Sequence, residues 1–168
     1  MMNLRPLAPK DAVAVFQAAD SSRPALRRWM VWYRDTYNLS DAEAWIQHAT
    51  ETAAAGTGFH FTILDAEQDL VGVIGLEGVG SESGRAMLGY WIATHATRRG
   101  LGRHAVEQMV AWARSLGTVK TIFALVAEPN VASRRILELN DFTVASTGDT
   151  DERGDVVLTY ELHVRPVS

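Results

Sequence analysis

The stretch from residue 88 to residue 117, LGYWIATHATRRGLGRHAVEQMVAWARSLG, constrains the fold more than any other part of this chain. It opens on an apolar run ending near Ala93, whose β-branched and aromatic residues suit a buried strand. Thr94 to Gly102 then breaks the pattern with two glycines set among arginines. From there Ala105, Val106, Met109, Val110, Ala113 and Leu116 recur at helical spacing, and Gly117 stands where a left-handed cap belongs. A helix entered through glycines exposes unpaired N–H groups at the positive end of its dipole, so this junction can hold an anion. Arg98, Arg99 and Arg103 strengthen it.

That cluster stands out because the chain as a whole is slightly acidic, with a formal net charge of −4. Such a balance argues against general nucleic-acid binding and makes the basic loop a local device. The sequence has no cysteine, which removes a protein thiol nucleophile, disulfides and thiolate metal sites. Its histidines and carboxylates lack metal-ligand spacing, so no metal is expected. No apolar run approaches about 18 residues, and no basic segment leads into an apolar core. Neither a membrane span nor a signal peptide is expected, and the cytoplasm is the default location. A length of 168 residues predicts one domain over residues 1–168.

Around this centre the pattern predicts a short edge strand or lead-in over 3–6, kept from the sheet interior by Pro6 and Pro9. A helix capped by Asp11 follows over 12–19, then a second over 25–33 carrying Leu26, Trp29, Met30 and Tyr33 on one side. Ser40 and Glu43 form a capping box that opens a third helix, stopped by Gly56-Thr57-Gly58. Strands are expected over 59–64, 70–76 and 86–93, with turn-like separators that make an antiparallel meander the economical connection. After the central helix come a strand over 121–127, a short helix over 130–140 and a strand pair over 142–146 and 156–164. The order predicts an α+β domain with a single sheet.

Five segments together resemble the GNAT superfamily of acyl-CoA-dependent N-acyltransferases, in the branch containing the ribosomal-protein N-terminal acetyltransferases. They are Leu26 to Trp32, Val71 to Leu76, Gly89-Tyr90-Trp91-Ile92, the loop Arg98-Arg99-Gly100-Leu101-Gly102, and Asn130-Val131-Ala132-Ser133 with Leu137-Glu138 and Phe142. The resemblance implies a single mixed, mainly antiparallel sheet that splays at its middle and is flanked by helices. It implies acetyl-CoA as acyl-donor co-substrate. The pyrophosphate would lie on the amides around Arg98, Arg99, Gly100, Leu101, Gly102, Arg103 and His104, and the pantetheine arm on Asn130. Ser133 would protonate the leaving thiol; the superfamily's tyrosine acid has no counterpart, Leu137 lying near its position. Met87 stands where this branch often carries Glu. A homodimer is suggested by the resemblance alone.

Acetyl transfer to an amine has its own chemical demands. A free α-amine titrates near pH 8 and a lysine near about 10.4, so the acceptor arrives largely as ammonium and a base or water relay must take its proton. Backbone N–H groups near Ile92, Ala93 and Thr94 can hold the carbonyl oxygen. Glu77, at the end of a strand, is the leading carboxylate for the base, with Asp149, Asp151 and Glu152 as rivals in a polar turn. His60 or His95 can relay a proton. Trp29, Trp32 and Tyr33 are the acceptor-side candidates, in competition with a plain packing role. The predicted function is therefore N-acetylation of a primary amine, a protein N-terminus or a small molecule, by direct transfer in a ternary complex. The alternative is a non-catalytic acyl-CoA sensor. A different phosphate ligand ranks below both, because GxxxxGK[ST] and GxGxxG are absent.

Overall fold

Alternating apolar residues in consecutive segments build the centre of the molecule, as the computed structural model, which describes residues 3–164, shows. The elements run β1 (Asn3–Pro6), α1 (Ala12–Asp20), α2 (Arg23–Trp29), α3 (Leu39–Ala55), β2 (Gly58–Leu64), β3 (Leu70–Glu77) and β4 (Arg85–Ile92). They continue with α4 (Leu101–Leu116), β5 (Thr121–Ala127), α5 (Val131–Glu138), β6 (Thr143–Thr150) and β7 (Val156–His163). One sheet of order β1-β2-β3-β4-β5-β7-β6 results, antiparallel throughout except where β4 meets β5. This is the expected α+β architecture, and β1 is the edge strand that its proline requires.

Both sheet faces are covered, by different helices. On one, Ile74, Leu76, Leu88 and Ile122 pack with Ala105, Val106, Met109 and Ala113 of α4 and Leu137 of α5. On the other, Val73, Trp91 and Ala93 pack with Ala12 and Val15 of α1, Leu26 of α2 and Ile46 of α3. Between β3 and β4 the chains lie close, and a Cβ built on Gly72 would sit 2.2 Å from the Trp91 carbonyl oxygen.

The β4–β5 pairing is short. Arg85, Ala86 and Met87 oppose Thr121, Ile122 and Phe123, and there the ladder ends. The rest of β4 keeps its partner β3 and the rest of β5 keeps β7, so the two halves of the sheet diverge beyond Met87 and Phe123.

β6 runs on to Thr150, past its expected end at residue 146, and three further local expectations shift. The second helix starts earlier and ends at Trp29, because Pro24 fits a first turn, so Tyr33 lies beyond it and not on its face. The third helix uses the overlapping box two residues upstream: Asn38 accepts from the Ser40 and Asp41 amides while Asp41 accepts from the Asn38 N–H. Asp11 precedes α1 without a side-chain cap; its carboxylate instead takes the Ala8 N–H and pairs with Arg5.

Candidate active site

The divergence of β4 from β5 leaves one edge of β4 without a strand partner. Ala93 N–H donates to the Val71 carbonyl at 2.7 Å. By the alternation of an antiparallel ladder, the odd-numbered amides of β4 face β3 and the even ones, Leu88, Tyr90 and Ile92, face the opening. Of the three amides expected to hold a carbonyl, Ala93 is thus engaged by β3. Thr94 is engaged too, donating to the Ser22 hydroxyl at 2.9 Å. Ile92 faces the opening.

At the mouth of that opening lies the basic loop. Arg98 has φ 61° and Gly100 φ 78°, two left-handed turns that swing the chain into α4. His104 N–H bonds back to the Gly100 carbonyl at 3.2 Å, and the earlier amides of Leu101, Gly102 and Arg103 are those a helix start leaves unpaired. Arg98, Arg103 and His104 are exposed, while Arg99 leans toward Asp65 at 3.9 Å. Gly102 has a second duty: a Cβ there would lie 2.8 Å from Ile136 Cδ1, so its small size lets α4 close on α5.

Across the opening stands the start of α5. Asn130 caps that helix, its Oδ1 accepting the Ser133 N–H at 3.2 Å. Ser133 Oγ lies 2.9 Å from the Tyr90 hydroxyl, which also reaches the Ser133 carbonyl at 3.3 Å. Burial pushes the Tyr90 phenol up to about 12, so it stays protonated at neutral pH. This pair joins β4 to the start of α5. Sequence reasoning had no role for Tyr90; strand alternation puts it on the α4 face but cannot say that α5 sits opposite. On the same helix Arg134 donates to Tyr160 Oη and the Glu128 carbonyl, while Arg135 is exposed, 4.0 Å from Glu138.

On the other face, register aligns Gly58, Glu77, Met87, Phe123 and Glu161 in one row across the sheet and His60, Gly75 and Gly89 in the next. Glu77 is half-exposed and its Oε1 lies 3.1 Å from His60 Nε2. His60 is buried under Trp45, whose ring meets it edge-on at 5.3 Å. Burial lowers its pKa, more than the Glu77 charge raises it, which favours the neutral ring. The rival carboxylate Asp151 instead holds the β6–β7 turn, accepting from Arg153 N–H at 2.8 Å and Asp155 N–H at 3.0 Å; the Asp155 amide is the main reason its pKa falls.

The three acceptor-side aromatics part company. Tyr33 is buried beside Trp32 and Tyr37. Trp32 is 43% exposed and leans on Trp91 with ring centroids 6.4 Å apart, so one of its faces lines the space above β4. Trp29 lies half-buried under the Arg28 guanidinium. Arg28 pairs with Asp155, and Arg153 donates to the Met30 carbonyl at 3.1 Å, which ties the end of α2 to the β6–β7 turn.

A family model described as acetyltransferase (GNAT) domain matches residues 2–143. No curated protein sequence matches the chain significantly. Among solved structures, RimL, a ribosomal L7/L12 alpha-N-protein acetyltransferase in complex with coenzyme A, superposes with TM-score 0.90 at 17% identity, over 97% of this chain and 94% of that one. The Salmonella typhimurium acetyl transferase that modifies the N-terminal serine of 50S ribosomal subunit protein L7/L12 gives TM-score 0.88 at 15% identity, over 98% and 95%. The microcin C7 self-immunity acetyltransferase MccE, in complex with acetyl-CoA and AMP, gives 0.88 at 17%, over 97% and 92%. At these identities the likeness is one of fold.

Proposed function

This chain belongs to the GNAT acetyltransferase family, and we propose that it moves an acetyl group from acetyl-CoA to a primary amine by direct transfer in a ternary complex. The observation that carries this reading is the β4 edge left open beyond Met87, with a basic helix start at its mouth and a hydroxyl pair across it. The pyrophosphate lies on the loop of residues 98–104, against the amides of Leu101, Gly102 and Arg103 that the helix start leaves unpaired. The pantetheine arm runs along the opened edge, taken by Ile92 and by the amide nitrogen of Asn130, whose oxygen is already spent on the helix cap.

Distance along the strand assigns the reacting end. Ile92 is five residues from Met87, roughly 17 Å at strand rise, too far for its amide and Glu77 to flank one carbon. Tyr90 is three residues on, about 10 Å, and its side chain already touches Ser133. We therefore assign the carbonyl oxygen to the Tyr90 N–H. The amine nitrogen attacks the thioester carbon, the oxyanion collapses, the C–S bond breaks, Ser133 Oγ–H gives its proton to the thiolate, and the proton left on the new amide nitrogen passes to Ser133 Oγ and restores it. Glu77, held by His60, takes the ammonium proton through water. The acceptor is a protein N-terminus or a small amine, and the cytoplasm is the location we assign.

The reading is tested by incubating the protein with acetyl-CoA and an amine library while following free thiol. Thiol release that requires an amine supports transfer; binding with no release across the library makes the chain a sensor. Glu77→Gln should lower kcat about 100-fold with acetyl-CoA affinity kept; an unchanged kcat removes Glu77 as base. For the loop, charge reversal of Arg98 and Arg103 together should weaken CoA about tenfold or more at low salt, less at high salt, with Tm unchanged. Calorimetry showing equal affinity would displace the phosphate from this loop.

A further inference from the structure

We infer that the depression over Gly89 receives an apolar side chain borne on the carbon next to the acceptor nitrogen, making the substrate an α-amine such as a peptide beginning in a hydrophobic residue. The inference rests on the acetyl-transfer reading above and names its acceptor class. Gly75 and Gly89 are register partners on the acceptor face of the sheet. Over Gly75 the space is filled, since a Cβ there would meet His60 Cδ2 at 2.2 Å. Over Gly89 it is open: a Cβ would have no heavy atom within 4 Å outside its chain neighbours.

What surrounds that opening is apolar. Met87, 38% exposed, lies two residues before Gly89 on the same face, and Trp91 two residues after, with Trp32 leaning on it. Leu125, 55% exposed, lies on β5 two residues beyond Phe123, the register partner of Met87, and so shares this face of the sheet. Met87, Trp32 and Leu125 are exposed side chains of a kind a globular surface normally hides.

The charges around it argue against a polycation. Among the described residues on this side, Glu161 is paired with Arg85, Asp155 with Arg28 and Asp151 with Arg153. Arg85 also lies over the Phe123 ring, 5.0 Å from its centroid. Of these four carboxylates Glu77 alone has no arginine partner, so its charge is left for an ammonium. An α-amine also suits a single carboxylate base: with a pKa near 8 it is about a tenth neutral at pH 7, where an alkylamine near 10.4 is neutral in well under about one part in a thousand.

The test compares tetrapeptides differing only in their first residue (Leu, Met, Gly, Asp) with spermidine and isoamylamine, by amine-dependent thiol release. Leu- and Met-first peptides are expected to exceed Gly-first by about tenfold or more in kcat/KM, the range an apolar pocket gives per added methylene or two. Asp-first peptides and spermidine should fall below Gly-first, and isoamylamine below Leu-first. Gly89→Val fills the depression with a residue suited to a strand, so it should fold, bind CoA and lower the Leu-to-Gly ratio to about one. A ratio near one in the wild type, a ratio untouched by Gly89→Val, or a preference for spermidine or isoamylamine overturns the inference while leaving acetyl transfer standing. Absence of thiol release with every amine overturns acetyl transfer itself and this inference with it.

Discussion

Replacing Ser133 by Ala is expected to lower kcat about 100-fold while changing the Kd for acetyl-CoA by less than about twofold, the span a positioned general acid contributes. A thiolate leaving without a proton is the costly step, and Ser133 Oγ is the hydroxyl that the start of α5 aims at the opened edge of β4. Tyr90 complicates the reading in a useful way. Its phenol, held protonated by burial, lies 2.9 Å from Ser133 Oγ, so Tyr90→Phe should cost about tenfold through loss of that orientation. The double variant should lose less than the product of the two, because both act on one proton path. Burst and steady-state thiol release read all three. A Ser133→Ala enzyme with full kcat would move the acid elsewhere, and a strictly multiplicative double variant would uncouple Tyr90 from it.

The second large effect is on stability. Gly72→Ala should destabilise the fold by about 3 kcal/mol or more, read as a Tm loss of about 6–12 °C. The new Cβ would stand 2.2 Å from the Trp91 carbonyl oxygen, and the atom it meets is backbone of the neighbouring strand, which cannot swing aside as a side chain tip can. Gly102→Ala meets only the tip of Ile136 at 2.8 Å and should cost markedly less. A thermal melt in which the two variants are equal would refute the distinction.

Much of this architecture was legible because packing and periodicity agreed. In α4, the apolar positions picked out by helical spacing are those buried against the sheet: Ala105, Val106, Met109, Val110 and Ala113. The meander β2–β3–β4 followed from strand pattern and turn residues, and Gly117 caps α4 in the left-handed region as its position required. Asp141 carries the left-handed turn after α5 that a glycine would otherwise supply.

What escaped were choices between near-equivalent local signals and contacts that exist only in three dimensions. Residues 38–43 hold two overlapping capping boxes, and one-dimensional spacing does not rank them. The Tyr90–Ser133 pair joins residues 43 apart in sequence, through a splay whose width no spacing encodes. His60 under Glu77 is a diagonal neighbour across two strands, visible only once register is known. Gly102 carried only half of its meaning in the sequence: beside arginines it reads as a phosphate glycine, and its missing side chain also makes room for Ile136.

The three-pair junction between Arg85–Met87 and Thr121–Phe123 has a mechanical meaning as well. It is a short fulcrum joining two stiffer plates, β1–β4 on one side and β5–β7 on the other. With a lever arm of about 17 Å from Met87 to Ile92, a tilt of about 5° moves the far end by about 1.5 Å, roughly the length of one carbon–carbon bond. Bending so few hydrogen bonds by that angle strains each only slightly, whereas shifting either plate internally would disturb long ladders. The Tyr90–Ser133 bridge ties β4 to α5 beyond that fulcrum.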